Sequence, residues 1–231
     1  VAPGAPETAE PEIWGGLVDL GEAAPGAILD QVSSGDAEDQ VSFRGGRRHV
    51  GRLAAATVPA GGRVAIAPGG SCLVTGGLGG LGLAVARWLV ERGARHLILT
   101  SRRGPGGDAG RVEGVRSLEA LGATVEAPAV DAADLAGMAA LLDGARRAGR
   151  PVRAVVHAAG VWAHEPIATM TPESIHRVLE AKVRGAEVLD ELATDLDLFL
   201  LFSSAAGVWG SAGSAHYAAA NRALAAIARR R

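Results

Sequence analysis

Lysine, tyrosine and asparagine each occur once in the 231 residues, as Lys182, Tyr217 and Asn221. A phenol, an ammonium and an amide gathered in one place form a proton-delivery site. The phenol gives up a proton, the cation favours the phenolate left behind, and the amide holds its neighbours or a relay water in place. The scarcity of these types supports the grouping. Twenty-two arginines stand beside the single lysine, so position 182 calls for a compact ammonium that a planar guanidinium fork does not replace. Asn221 lies four residues beyond Tyr217, one helical turn on, so both can face the same cleft.

A second signal is the run Thr75-Gly76-Gly77-Leu78-Gly79-Gly80-Leu81-Gly82. It follows the apolar strand-length run Ser71 to Val74 and opens into Ala84 to Val90, which has helical apolar spacing. In that context the glycines let backbone approach a pyrophosphate, while the free N–H groups and dipole of the helix start attract its charge.

A strand and helix rhythm positions these parts. His96 to Thr100, Thr124 to Val130, Val152 to Val156 and Leu198 to Phe202 read as further strands. Helical stretches are expected at Gly110 to Leu121, Leu135 to Ala148 and Pro172 to Leu192, with a last helix from Ala215 to the end. Alternation of this kind predicts parallel β-α-β units in a doubly wound, Rossmann-like α/β sheet, with ligands beyond the carboxyl ends of the strands.

These residues together resemble the short-chain dehydrogenase/reductase family and, within it, the ketoreductase domains of modular polyketide synthases. The resemblance rests on TGGLGGLG at 75 to 82, SRRG at 101 to 104, HAAG at 157 to 160, AKVRGA at 181 to 186, FSSAAGVWGS at 202 to 211 and YAAAN at 217 to 221. Ordinary members carry the lysine four residues after the tyrosine. Here Asn221 takes that place and Lys182 lies upstream, which is the polyketide ketoreductase pattern.

The resemblance implies NADPH-dependent reduction of a β-ketoacyl thioester, presented on the phosphopantetheine of an acyl carrier protein, to a β-hydroxyacyl thioester. Tyr217 would be the general acid, Ser204, thirteen residues earlier, would donate to the carbonyl oxygen, and Lys182 would favour the tyrosinate. A unit charge roughly 4 Å away at an effective dielectric near 20 favours that anion by about 4 kcal/mol. Asn221 would hold Lys182 or a relay water. The glycine run 75 to 82 would bind the cofactor together with Ser101, Arg102, Arg103, Asp131, Ala158, Ala159 and Gly160. A carboxylate for the ribose hydroxyl of NAD is expected about twenty residues after the glycine loop. Ser101-Arg102-Arg103 stands there instead and suits a 2′-phosphate.

Stereochemical markers are also legible through the resemblance. B-type domains carry Leu-Asp-Asp shortly after the HAAG turn, where this chain has Trp162-Ala163-His164. A-type domains carry a tryptophan eight residues before the tyrosine, and Trp209 is there. Both point to an A-type, L-hydroxyl product. Ser214 occupies the position of the histidine found in epimerising A-type domains, with His216 displaced by two, so no epimerisation is expected.

Composition sets limits. The formal net charge is −2 and the arginines are spread along the chain, which argues against a nucleic-acid surface, since that would need a concentrated basic face. No apolar run is long enough to span a bilayer and no signal-like start is present, so a cytoplasmic setting is expected. One cysteine excludes an internal disulfide, and six scattered histidines offer no metal spacing. Cys72, Met138, Met170, Trp14 and Trp88 read as packing residues, His157 as packed under the HAAG turn, and His216 as pointing away from the site.

Residues 1 to 66 differ in character. Val1 to Glu12 reads as linker and Ser34 to Asp39 as loop. Pro11 to Leu20 and Phe43 to Arg48 resemble the closing part of the structural subdomain that precedes the catalytic one in these synthases, so the segment should dock on the catalytic subdomain or on something outside the chain. Residues 67 to 231 then form the NADPH-binding catalytic subdomain. In the family two further strands and a lid follow the tyrosine helix, whereas the sequence stops at Arg231. Two other readings stay open: a synthase module that binds NADPH without reducing, and a free-standing short-chain alcohol dehydrogenase.

Overall fold

The structure, a computed structural model, describes residues 16–57, 66 and 69–231. The expected linker at Val1 to Glu12, and Trp14, lie outside the described residues.

The first elements form a small sheet. β1 (Leu17–Asp19) leads through α1 (Gly26–Ser33) to β2 (Gln40–Arg44), which pairs parallel to β1 and antiparallel to β3 (Arg47–Val50). Gly45 and Gly46 link β2 to β3 with φ values of 54° and 71°. Two successive left-handed residues make a type I′ hairpin turn, which glycine enters without a Cβ penalty. Ser34 to Asp39 is loop, as expected. Val41 is buried, while Leu29 and Val32 on α1 are exposed.

The main sheet carries the site. In chain order come β4 (Ser71–Thr75), α2 (Gly80–Glu91), β5 (His96–Thr100), α3 (Ala109–Ala120), β6 (Thr124–Glu126), α4 (Leu135–Arg147) and β7 (Val152–His157). α5 (Pro172–Leu179), α6 (Gly185–Leu192), β8 (Leu198–Leu201), α7 (Ala206–Trp209) and α8 (Ala215–Arg230) follow. The strands are all parallel in the order β6-β5-β4-β7-β8. The order reverses beside β4, so the crevice outside β4 and β7 is the place where ligands bind in such sheets.

β4 is buried at every residue because helices cover both faces. Alternation along the strand sends Cys72 and Val74 to one side, with Ala86, Leu89 and Leu118, and Leu73 to the other, with Met138, Leu142 and Leu189. Cys72 is fully buried, and that burial pushes its thiol up to about 12. Trp88 packs at the edge of the first cluster beneath the Arg92 guanidinium. Asp108 and Asp134 cap α3 and α4 by accepting the N–H of Arg111 and Gly137.

Two elements differ from the sequence expectation. β6 ends at Glu126 instead of continuing to Val130, with only a bridge between Ser101 and Ala129 beyond it. Pro128 has no N–H for the ladder and interrupts this edge strand. The stretch expected as one helix from Pro172 to Leu192 is divided by a π turn at Glu180–Arg184, a feature that often marks functional positions.

Candidate active site

The glycine run bends sharply at the end of β4. Gly76 has φ of 65°, and a Cβ there would lie 2.8 Å from the Ala159 nitrogen, so the loops after β4 and β7 touch backbone to backbone. A Cβ on Gly82 would strike the Gly76 carbonyl, and one on Gly77 would come within 2.6 Å of the Val74 oxygen. These glycines press the start of α2 onto the loop, and the orphan N–H groups of its first turn face the loop end. Gly80 has open space around its Cβ position, and Leu81 is exposed.

A cleft of about 280 Å³ lies beside this turn. It is lined by Gly76, Leu78, Gly79, Ser101, Arg102, Arg103, Asp131, Ala158, Ala159 and Gly160 from the sequence-derived set. Thr75, Gly77, Gly80, Leu81 and Gly82 are not in its lining. Thr75 is buried, and its hydroxyl is bonded to His157 Nδ1 at 2.7 Å. Asp131 keeps one oxygen on the Ala133 N–H, 3.1 Å away.

Thr100, Arg111, Val130, Ala132, Val161 and Ala181 complete the lining and were missed in the sequence. Thr100 ends β5 two residues before the arginine pair, a position that could have revealed it. Its Oγ1 is buried without a hydrogen-bond partner among the described residues, which a ligand polar group in the cleft would satisfy. Arg111 sits in the first turn of α3 and reaches back to the Gly104 carbonyl at 3.2 Å. A dinucleotide fits this donor set. Gly76, Gly77 and Gly82 leave no room for a Cβ, Thr100 offers an unmet hydroxyl, and Arg102, Arg103 and Arg111 bring three guanidinium groups to the cleft.

The four candidate catalytic side chains come from three segments. Lys182 lies in the π turn and is 6% exposed, and burial lowers its ammonium below the ordinary lysine range. Its Nζ donates to the Phe202 carbonyl at 2.9 Å and stands 5.6 Å from the centre of the Tyr217 ring. Tyr217 is half-buried in the first turn of α8. Ser203 Oγ donates to the Asn221 carbonyl at 3.1 Å, whereas Ser204 Oγ accepts the Ala206 N–H at 3.2 Å. The proton of Ser203 is therefore engaged, and that of Ser204 has no acceptor among the described residues. This separates two neighbours that the sequence left side by side.

Asn221 is placed differently from the expectation that it grips Lys182. Its Nδ2 donates to the Tyr217 carbonyl at 2.8 Å, and its Oδ1 is buried with no hydrogen-bond partner among the described residues. Lys182 is held by Phe202 instead. An orphan buried carbonyl oxygen costs about 1–3 kcal/mol, so Oδ1 marks a position for a water or a ligand donor.

Two tryptophans outside the cleft lining are exposed, Trp162 at 69% and Trp209, the last residue of α7, at 40%. Trp162 stacks on His164 with ring centres 6.3 Å apart. His164 in turn lies over Gly213, where φ is 63° and a side chain would meet the imidazole. Ser214 Oγ donates to the Ala163 carbonyl at 3.1 Å, pinning this segment to the start of α8. His216 is 3% exposed, with both ring nitrogens unpartnered among the described residues. The imidazole is thus enclosed within the protein.

Comparison with known proteins places the chain in a family. The KR domain profile matches residues 70–231. The chain belongs to the KR domain family. This KR domain is 46% identical over 236 residues to polyketide synthase GfsA of Streptomyces halstedii, across 96% of this chain and 3% of that protein. It is 45% identical over 231 residues to erythronolide synthase EryA3 of Saccharopolyspora erythraea, across 95% of this chain and 7% of that protein. The solved PlmKR1 ketoreductase, from the first module of phoslactomycin biosynthesis in Streptomyces sp. HK803, aligns at a TM-score of 0.85 and 45% identity. That alignment covers 95% of this chain and 52% of the other. A structure described as an A1-type ketoreductase aligns at 0.83 and 44% identity, over 96% and 48% of the two chains. The KR domain therefore spans a small part of these synthases and about half of the solved chains, and its doubly wound sheet is that of their ketoreductases.

Proposed function

We propose that this KR domain reduces a β-ketoacyl thioester on an acyl carrier protein to the β-hydroxyacyl thioester, with NADPH as reductant and an L-configured hydroxyl. The observation that carries the proposal is the Lys182 ammonium 5.6 Å from the Tyr217 ring, beyond the carboxyl ends of the strands and beside the glycine-lined cleft. Bound in that cleft, NADPH supplies a hydride to the ketone carbon. Tyr217 gives its proton to the oxygen that becomes negative, and Ser204 directs its free hydroxyl proton at the same oxygen. Lys182, its Nζ 5.6 Å from the centre of the Tyr217 ring, favours the tyrosinate that remains, as an opposite charge nearby does. Asn221 Oδ1 is available to a relay water that returns the proton.

Other parts belong to the same proposal. Residues 1 to 66 act as the remnant of a structural subdomain and 67 to 231 as the cofactor-binding one, within a cytoplasmic polypeptide that holds further synthase domains. The exposure of Trp209 at the end of α7, eight residues before Tyr217, supports A-type control, with the indole blocking one approach and leaving a flat surface for the acyl chain or its phosphopantetheine arm. The likeness to an A1-type ketoreductase supports the same reading.

A carrier-bound β-ketone is expected to be reduced with a much higher kcat/KM than small free ketones, measured by competition in one vessel. Equal rates would favour a free-standing alcohol dehydrogenase.

NADPH preference gives a second test. Arg102 and Arg103 line the cleft and make no ion pair among the described residues, so both are available to a 2′-phosphate. Hydrogen bonds to charged groups contribute about 1.5–3 kcal/mol. Arg102→Ala is therefore expected to lower the NADPH to NADH ratio of kcat/KM by roughly ten- to a hundredfold. An unchanged ratio counts against the assignment.

A further inference from the structure

We infer that His157 is the positioning residue of the site, fixing the backbone turn that carries Lys182 and so setting where the ammonium stands beside Tyr217. The inference rests on the proposed role of Lys182 and adds the residue through which its position is held.

Three hydrogen bonds close a circuit. His157 Nε2 meets the Lys182 carbonyl oxygen at 2.9 Å, Lys182 Nζ donates to the Phe202 carbonyl at 2.9 Å, and the Phe202 N–H donates to the His157 carbonyl at 3.0 Å. Each residue donates once and accepts once. The three lie at the end of β7, in the π turn and just after β8, so the circuit ties three separate segments at the carboxyl edge of the sheet.

The tautomer follows from the partners. A carbonyl oxygen only accepts, so Nε2 carries the proton, and Nδ1 is bare and accepts the Thr75 hydroxyl proton across 2.7 Å. Burial pushes the His157 imidazole down to about 4, opposed in part by its bond to the Lys182 carbonyl. The ring is therefore neutral near pH 7 and keeps this arrangement.

Packing supports the same role. A Cβ on Gly185 would lie 2.9 Å from His157 Cε1 and 3.0 Å from Ala132 Cβ, so the first residue of α6 rests directly on the ring. The Gly185 N–H is shared between the Glu180 and Lys182 carbonyls. The π turn is thus held from inside by the imidazole and from its end by a glycine with no room for a side chain. An apolar residue of equal volume would fill the space but leave Thr75 Oγ1 without its buried acceptor and the Lys182 carbonyl with only its share of the Gly185 N–H.

The test uses His157→Gln and His157→Asn in the intact polypeptide. A glutamine amide reaches the Nε2 position and can keep the bond to the Lys182 carbonyl. An asparagine amide stops at the Nδ1 position and keeps only Thr75. Because a misplacement of about 1 Å costs roughly a hundredfold, His157→Asn is expected to lose about ten- to a hundredfold in kcat. KM for the carrier-bound ketone and the NADPH dissociation constant, read by fluorescence titration, are expected to hold, and His157→Gln is expected to restore most of the rate. Crystal structures of the two variants supply a readout independent of turnover: Lys182 Nζ stays on the Phe202 carbonyl in the glutamine variant and leaves it in the asparagine variant. An asparagine variant with the ammonium still on Phe202, or equal kcat in the two variants, would overturn the inference. A wild-type protein that reduces no ketone would sink the proposed function alone, since the crystallographic comparison still reads the position of Lys182.

Discussion

Tyr217→Phe is expected to lower the rate of ketone reduction by about 10²–10⁴-fold, the range contributed by a positioned general acid. The substitution removes one oxygen from a half-buried ring in the first turn of α8. The ring still packs beside the Lys182 ammonium, 5.6 Å from its centre, so the helix and the cofactor cleft should be unchanged. NADPH affinity, measured by titration, should therefore remain near wild type while turnover of a carrier-bound β-ketone collapses. Retention of most of the rate would remove Tyr217 from the chemistry.

Lys182→Arg should be nearly as damaging even though it keeps the charge. The residue is 6% exposed, with its Nζ 2.9 Å from the Phe202 carbonyl, and a Cβ built on Gly160 would already lie 3.4 Å from that nitrogen. A planar fork with a longer reach has no place there, so the cation must move away from Tyr217. A displacement of about 1 Å costs roughly a hundredfold in rate, and complete loss of the charge removes its stabilisation of the tyrosinate altogether. Steady-state kcat of the variant reads this directly. Near-normal turnover would mean that the lone lysine is unrelated to proton transfer.

The parts of the fold and site that could be read in advance are those written in residue type or period. Continuous apolar runs such as Cys72 to Val74 and Leu97 to Leu99 announce strands buried on both faces, as β4 and β5 are. Glycines at 76, 77 and 82 announce backbone contact, and the distances to Ala159, Val74 and Gly76 explain each of them. Rare side chains gave Lys182, Tyr217 and Asn221, which fall on adjoining segments.

The rest depends on hydrogen-bond geometry, which leaves no period in the sequence. The π turn at Glu180–Arg184 continues the apolar spacing of the helices on either side, so it reads as unbroken helix. The choice between Ser203 and Ser204 rests on which hydroxyl proton is engaged. Asn221 turns its Nδ2 back to the Tyr217 carbonyl because that acceptor lies one helical turn away, and no residue pattern distinguishes this from a bond to Lys182. Thr100 and Arg111 reach the cleft from the ends of β5 and α3, neighbours only once the sheet is wound. The early end of β6 was written in the chain, at Pro128.

The central claim is tested most directly by the product. The intact polypeptide is incubated with NADPH and a 2-methyl-3-ketoacyl thioester on its carrier protein, and the released acid is resolved on a chiral column. A 3-hydroxy product with a predominantly L-configured hydroxyl is expected, formed in step with NADPH consumption. NADPH binding without any hydroxy product would contradict the reductase itself, and a predominantly D-configured hydroxyl would contradict the A-type geometry assigned to Trp209.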